Sequence, residues 1–353
     1  MGVVGTLGNI CSGRLPGCSV RPEGTVAARG PRSPCQAAFV AAIVEPSQIA
    51  ITSTLAQRLP ALILEGGVVV DTGSGNDESV DIATNNIWCC HDRFRLMDAP
   101  ALDHVLDFTG QVVLVTGGTR GLGRGIAHRF VEAGATVVVC GRKDPEAPLP
   151  GITFVAADVR DAESVAALTA QIVERFGRFD VLVNNAGGAP PSDTVTASAK
   201  FTNAIVGLNL VAPLLCAQAA YGVMAGQDRG GSIVNIASVS GIRPSPSTAA
   251  YGAAKAGLIN LTQTLAVEFG PRVRVNAISA GYIVTEQSHL FYGDDDGIAA
   301  VGNTVPLGHM AAPDEIADVV LFLASPLARY VSGANIVVHG GGEKPVYIDA
   351  ANT

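Results

Sequence analysis

Tyr251 and Lys255 stand four residues apart, and Ser238 precedes the tyrosine by thirteen. A phenol, an ammonium and a hydroxyl in this arrangement form a set for moving a proton to or from an oxygen. Apolar Ala254, Leu258, Leu261, Leu265 and Ala266 mark one face of a helix within Ala250 to Glu268. On such a helix Tyr251 and Lys255 are neighbours at i and i+4. A free tyrosine titrates near pH ~10, so acid–base work near neutrality means lowering it by about three units, on the order of 4 kcal/mol. A lysine ammonium close by favours the phenolate and supplies part of that. Ser238 ends the apolar stretch Ser232-Ile233-Val234-Asn235-Ile236-Ala237, at the sheet edge where open α/β folds bind ligands. Its hydroxyl is placed to hold a substrate oxygen for proton exchange with Tyr251. A Tyr-x-x-x-Lys pair alone is common by chance; what lies upstream changes its weight.

The run Gln111-Val112-Val113-Leu114-Val115 suits a strand buried on both faces of a parallel sheet. It leads into Thr116-Gly117-Gly118-Thr119-Arg120-Gly121-Leu122-Gly123, and then into Ile126 to Val131 with helical spacing. Strand, glycine turn and helix are the context that a dinucleotide fingerprint requires. Glycine is needed because a Cβ blocks the tight turn and the approach of backbone to pyrophosphate. The amides at the new helix's N-terminus then receive the negative charge. The next strand, Thr136 to Cys140, ends in Gly141-Arg142-Lys143, with no acid before Asp144. An acid there bonds the ribose of NAD, whereas arginine suits the 2′-phosphate of NADP. Arg142 and Arg120 converging on one phosphate give charge-assisted bonds, so NADP(H) is expected over NAD(H). Together the two motifs point to hydride exchange between a nicotinamide dinucleotide and a carbonyl or alcohol.

In these motifs the chain resembles the short-chain dehydrogenase/reductase family, over about Phe108 to Gly342 and in family order. Asp158-Val159 is similar to the family's contact with the adenine amino group. Val183-Asn184-Asn185-Ala186-Gly187 resembles its Asn-Asn-Ala-Gly segment beside the cofactor. Asn209 matches the asparagine that joins a water relay to the lysine, and Ser238, Tyr251 and Lys255 match the other catalytic positions. The resemblance implies that Lys255 also bonds the nicotinamide ribose and that Ile283 and Thr285 contact the carboxamide. Cofactor contacts are likewise implied for Gly117, Thr119, Arg120, Gly121, Leu122, Gly123, Arg142, Asn185, Ala186, Gly187 and Tyr251. Two positions depart: Ala280 stands for the usual proline, and His339 for the usual aspartate before Gly340-Gly341. A metal role for His339 is not expected, since no second ligand lies at useful spacing.

The first 96 residues behave differently. They contain no lysine and hold five of the seven cysteines. Proline, glycine and arginine are scattered through Arg14 to Pro34 without a period, which argues against packed helix or sheet. The apolar runs Ala37 to Val44 and Ala61 to Val70 are too short for a membrane span, and the second suits a strand. Cys89-Cys90-His91 is too compact for a zinc site by itself. Three readings of this low-order extension stand side by side. Its early composition, four arginines and one acid before Glu45, resembles a transit peptide. Met1-Gly2-Val3-Val4-Gly5-Thr6 fits a myristoylation pattern. The preferred reading takes Met97 as the natural start, which leaves 257 residues as one catalytic domain, 97–353.

From residue 108 onward, apolar runs alternate with helix-like segments, so an α/β fold with a mostly parallel sheet is expected. Strands are predicted near 112–116, 136–140, 152–156, 180–184, 232–237, 273–278 and 334–338. Helices are predicted near 122–133, 161–176, 196–225, 250–269 and 313–324. The resemblance implies a seven-stranded doubly wound (Rossmann) sheet of order 3-2-1-4-5-6-7 and a homo-oligomer, tetramer or dimer. A net charge of −8 without a basic stripe argues against nucleic acid and anionic membrane as partners. Cys140 and Cys216 lie in apolar segments and read as buried thiols, which fits a reducing, cytoplasmic compartment. Family resemblance makes Glu286 to Thr304 a mobile lid over a small-molecule substrate, with the Asp294–Asp296 run a solvated loop tip. Gly187 to Pro190 and Ile242-Arg243-Pro244 are expected to line the other walls. Arg229 and Arg272 stand where ketoacyl-carrier reductases of the family carry basic residues. The expected reaction is therefore NADP-dependent reduction of a ketone, such as a 3-oxoacyl thioester. A steroid, sugar or other secondary-alcohol dehydrogenase is the alternative, and a cofactor-binding regulator without turnover is the alternative outside enzymes.

Overall fold

A computed structural model of the protein describes residues 104–343 and 345–351, with five short strands in the sequence before them. The chain divides into two units, Met1–Ala99 and Pro100–Thr353. In the first, β1 (Cys18–Val20) pairs antiparallel with β2 (Val26–Ala28). These fall inside Arg14 to Pro34, where no sheet was expected; strands of three residues are too short to register as a period. β3 (Ala61–Leu64), β4 (Val68–Asp71) and β5 (Ile82–Thr84) form a three-stranded antiparallel sheet. The apolar run 61–70 thus makes two strands, paired antiparallel with Leu64 opposite Val68, instead of one. The Met97 start, the Met1 to Thr6 pattern, the run Ala37 to Val44 and Cys89-Cys90-His91 lie outside the described residues.

The second unit is built on β6 (Val112–Thr116), every residue of which is buried. Side chains alternate across a strand. Val112 and Leu114 accordingly enter one core, and Val113 and Val115 the other. The strands that follow are β7 (Thr136–Gly141), β8 (Ile152–Ala156), β9 (Val181–Asn184), β10 (Gly231–Ser238), β11 (Val273–Ala280) and β12 (Asn335–Val338). They pair in parallel in the order 8-7-6-9-10-11-12, which counted from β6 is 3-2-1-4-5-6-7. This is the expected doubly wound sheet.

Helices cover both faces. On one side α1 (Gly121–Glu132) packs through Ile126, Ala127 and Phe130, together with a later helix contributing Ile316, Ala317 and Val320. On the other, α2 (Ala162–Phe176) packs through Val165, Leu168 and Ile172. Asp161 caps α2 by accepting from the Glu163 amide, and Gly177 ends it at φ 75°. Asp180 pins β9 to β6: its carboxylate accepts from the Val112 amide at 2.8 Å and from Arg178 twice at 2.7 Å.

The expected helix 196–225 is interrupted. α3 (Ala199–Val206) starts where the Ser198 hydroxyl accepts from the Phe201 amide, and α4 (Ala212–Met224) follows a π-turn at Gly207–Val211. Pro213 has no N–H for the carbonyl four residues back, that of Asn209, and its ring would crowd it. A widened turn relieves both. By length and composition Ala199–Met224 is apolar enough to cross a membrane. In this unit Ala212, Cys216, Ala217, Ala220 and Met224 are packed into the core beside α2. The remaining helices are α5 (Ala249–Glu268), α6 (His289–Tyr292), α7 (Asp295–Thr304), α8 (Pro313–Ala324) and α9 (Val346–Ala351).

Candidate active site

The sheet order reverses between β6 and β9, and there the glycine turn meets the Asn184–Gly187 segment. The Thr116 hydroxyl accepts from the Asn185 and Ala186 amides, both at 3.0 Å, and donates to the Val183 carbonyl at 3.3 Å. The Asn185 side chain donates back to the carbonyls of Thr116 at 2.9 Å and Gly117 at 3.3 Å. This closure dictates glycine at 123, where a Cβ would lie 2.3 Å from Asn185 Nδ2 and 2.5 Å from the Gly117 carbonyl. Gly121 has φ 53°, a conformation that side chains disfavour, and opens α1 with its amide outward. That amide donates to the Glu286 carboxylate at 2.8 Å. Thr285 packs beside the same glycine, 3.6 Å from where its Cβ would be. Glycine turn, helix N-terminus and the Ile283–Thr285 strip therefore come together at one place, where the Glu286 carboxylate occupies the anion position of the helix terminus. Leu122 sits on the first turn of α1, half-buried, and Ile283 is held by bridge pairing to Ala311.

Along the edge of β7, Thr119 lies 3.6 Å from the place a Gly141 Cβ would take, and Arg142 and Arg120 are exposed. Asp158 faces this region. Arg160 grips its carboxylate at 2.9 and 2.6 Å, and this, with a smaller contribution from Arg142, holds it down to about 2. Arg160 is a residue that the sequence reading passed over; its place two positions after Asp158 was the available signal. Val159 is buried in the core beside it.

The proton-transfer set converges at the ends of β10 and α5. Ser238 is the last residue of β10, and Tyr251 and Lys255 lie in the first two turns of α5. The Ser238 hydroxyl accepts from the Ser240 amide at 3.1 Å and stands beside the Tyr251 phenol. Lys255 is 4% exposed and donates to the Ile236 carbonyl at 2.7 Å, with Nζ 5.6 Å from the centre of the Tyr251 ring. Burial brings its ammonium down to about 8. Burial also raises the Tyr251 phenol above its ordinary value, while the neighbouring Ser238 hydroxyl opposes the rise. The lowering expected from Lys255 alone does not prevail, because the ammonium turns toward Ile236 and desolvation outweighs it.

Asn209 is fully buried in the π-turn, its side chain donating to the carbonyls of Ile205 at 2.9 Å and Gly188 at 3.0 Å and accepting from the Gly188 amide at 2.9 Å. A Cβ on Gly187 would come 2.7 Å from Asn209 Oδ1 and 3.2 Å from Lys255 Nζ, so this glycine keeps the floor of the cleft open between them. π-turns of this kind gather at functional sites. A second buried chain went unread in the sequence: Asn184 Nδ2 to Asn235 Oδ1 at 2.9 Å, and Asn235 Nδ2 to Thr262 Oγ1 at 2.9 Å. It ties β9, β10 and α5 together beneath the set.

The segment after Thr285 is helical. Asp294 caps α7 by accepting from the Gly297 amide at 3.1 Å, with Asp295 and Asp296 in the first turn. The aspartate run is thus a capped helix start, favoured by the helix dipole, in place of the expected loop tip. Tyr292 of α6 meets Tyr282 edge-on at 6.1 Å. Tyr282 is raised above its ordinary value by burial and by neighbouring Glu343, which pairs with Arg243. At the two departures from the family pattern, Gly281 donates to the Val338 carbonyl at 2.9 Å, and a Cβ there would lie 2.8 Å from the His339 Cβ. Arg272 donates to the Ala225 and Gln227 carbonyls at the end of α4, and Arg229 is exposed. Among the described residues, no three His, Cys, Asp or Glu side chains gather as a metal site.

Known proteins share this arrangement. A family model described as enoyl-(acyl carrier protein) reductase matches residues 117–343. The chain is 36% identical to the 3-oxoacyl-(acyl-carrier-protein) reductase of Vibrio harveyi over 246 residues, 67% of this chain and 98% of that protein. It is 35% identical to the L-rhamnose 1-dehydrogenase (NAD(P)(+)) of Azotobacter vinelandii over 245 residues, 65% of this chain and 96% of the relative. The ligand-free aldohexose dehydrogenase of Thermoplasma acidophilum superimposes with a TM-score of 0.64 at 31% identity, covering 67% of this chain and 95% of that one. With the parallel sheet, the glycine turn and the serine–tyrosine–lysine set in their places, the chain belongs to the short-chain dehydrogenase/reductase family and is an oxidoreductase that acts on alcohol and carbonyl groups.

Proposed function

We propose that the protein is an NADP(H)-dependent reductase of a ketone, with a 3-oxoacyl thioester as the leading substrate class. The observation that carries the reaction is the convergence of Ser238, Tyr251 and buried Lys255, with the lysine Nζ 5.6 Å from the centre of the tyrosine ring. Bound in the cleft, the nicotinamide supplies the hydride. Ser238 holds the substrate oxygen and Tyr251 gives it a proton; a phenol raised by burial stays protonated through neutral pH, which suits donation in the reducing direction. Lys255 keeps a positive charge beside the phenolate that results, and Asn209 buttresses the cleft floor. The cradle fits a dinucleotide: the amide of Gly121, with Thr119 and Leu122, would meet the phosphates, Asn185, Ala186 and Gly187 would line the path to the nicotinamide, and Ile283 and Thr285 would hold its carboxamide. Exposed Arg142 at the end of β7, with Arg120 across from it, supports a 2′-phosphate and hence NADP(H). Asp158 and Val159 take the adenine end.

The 36% identity to the Vibrio 3-oxoacyl reductase favours an acyl thioester. The 35% identity to the rhamnose dehydrogenase favours a second reading, oxidation of a sugar or other secondary alcohol. Turnover of acetoacetyl thioesters with NADPH, compared with NADP⁺ reduction by free sugars, separates them. We take the catalytic unit to be residues 97–353, acting in the cytoplasm as a homo-oligomer. Exposed Val211 and Val267 on the long helices support association of copies.

A further inference from the structure

A hollow of about 170 Å³ opens beside the Tyr251 ring. Its walls come from three stretches: the loop carrying Pro190, the turns of α3 carrying Phe201, Thr202 and Ile205, and the loop carrying Ser247. The lining is mostly carbon, with scattered hydroxyls and no charged side chain. Asp193 and Lys200, neighbours in sequence of the lining residues Ser192 and Phe201, are exposed and do not line it. A carboxylate or phosphate entering this space would lose its water and find no cation, which is strongly unfavourable.

The hollow is also held open by an unusual piece of backbone. Ser247 has φ 62°, the single non-glycine residue among the described ones in the left-handed region. Its carbonyl accepts the Ser192 amide at 2.8 Å, which straps the two loops together across the rim. Strain of this kind persists where the surroundings enforce it, and it gathers at ligand-binding positions.

We infer that this hollow is the subsite for one arm of the substrate, and that the arm is uncharged, mainly apolar and about the size of a six-carbon group. Apolar cavities of about 150 Å³ admit benzene, which sets the size. The inference rests on the proposed carbonyl chemistry at Tyr251. It narrows that chemistry to ketones or alcohols with one hydrocarbon arm, against substrates hydroxylated on every carbon.

The test is a series of neutral methyl ketones of growing chain length, matched ω-carboxylated ketones, and a free hexose with NADP⁺, run on the full chain. Within the neutral series kcat/KM should rise about fourfold per methylene and level off near six carbons. The carboxylated partners should fall at least tenfold below. Thr202→Trp, which fills the hollow, should abolish the chain-length gain while sparing the shortest ketone. Phe201→Ala should move the plateau to longer chains, so the result does not hang on one variant folding. Saturation-transfer NMR on the cofactor-free protein should detect hexan-2-one but not hexanoate, and the hexan-2-one signal should vanish in Thr202→Trp. A flat chain-length profile in a protein that does turn over ketones, or a hexose preferred over hexan-2-one or its alcohol, overturns the subsite alone. No turnover of any ketone, alcohol or sugar overturns the carbonyl chemistry together with it.

Discussion

The Glu286 carboxylate accepts a hydrogen bond from the Gly121 amide at 2.8 Å. Glu286 opens the segment that runs on into α6 and α7, and Gly121 is the first residue of α1. An anion from this chain therefore occupies the helix terminus where a dinucleotide would place its phosphates. Glu286→Gln should remove the competing charge and tighten NADPH and ADP by about two- to fivefold, the range for one charge at a helix end. Adenosine, which has no phosphate, should bind unchanged. Calorimetric titration reads both, and equal effects on ADP and adenosine would contradict the competition.

Arg142 is exposed at the end of β7, with no acid within its own turn before Asp144. Arg142→Ala should weaken NADPH by about ten- to hundredfold, the range for a lost charge-assisted bond, and leave NADH within about threefold. Fluorescence titration with both cofactors measures the difference. A parent protein that prefers NADH would refute the assignment.

Gly123 has no room for a side chain against Asn185 and Gly117. Gly123→Ala should push the two loops apart at a cost of about 1–3 kcal/mol and weaken dinucleotide binding as well. Thermal unfolding should drop by several degrees, about 2–4 °C per kcal/mol in a unit of this size. Unchanged melting would show that the closure is looser than its geometry implies.

Burial lowers Lys255 to about 8 in the folded protein, against ~10.4 in an unfolded chain. Below pH 8 the fold therefore retains a buried ammonium, a penalty of roughly 3 kcal/mol that fades as pH rises toward ~10. Lys255→Met should be inactive yet more stable than the parent at pH ~7, and the advantage should shrink by pH ~10. Denaturant unfolding at the two pH values checks the sign. An advantage that grows with pH would contradict it.

Much of this was legible in the chain. The five inner strands of the second unit were legible as continuous apolar runs, since strands covered on both faces carry no alternation to confuse with helix. The glycine turn and the serine–tyrosine–lysine set were readable because their spacing is local. The interruption at Asn209 was readable in principle from Pro213 four residues on, but helical periodicity continues through it and hides the extra residue. The Asp294–Asp296 run looked like a loop because acidic residues suit both turns and helix starts, and only the Gly297 amide distinguishes them. The Asn184–Asn235–Thr262 chain and the Glu286–Gly121 contact join residues distant in sequence, so no window of pattern contains them. The sense of the Tyr251 shift depended on where the Lys255 ammonium points, which is a matter of three-dimensional packing.

The most direct measurement is Tyr251→Phe, assayed for NADPH affinity by fluorescence and for ketone reduction by single-turnover absorbance. Cofactor affinity should stay within about threefold while the reduction rate falls by about a thousandfold or more, as expected when the proton donor is lost. A variant that reduces ketones at a rate near the parent's would contradict the assignment of Tyr251 as that donor.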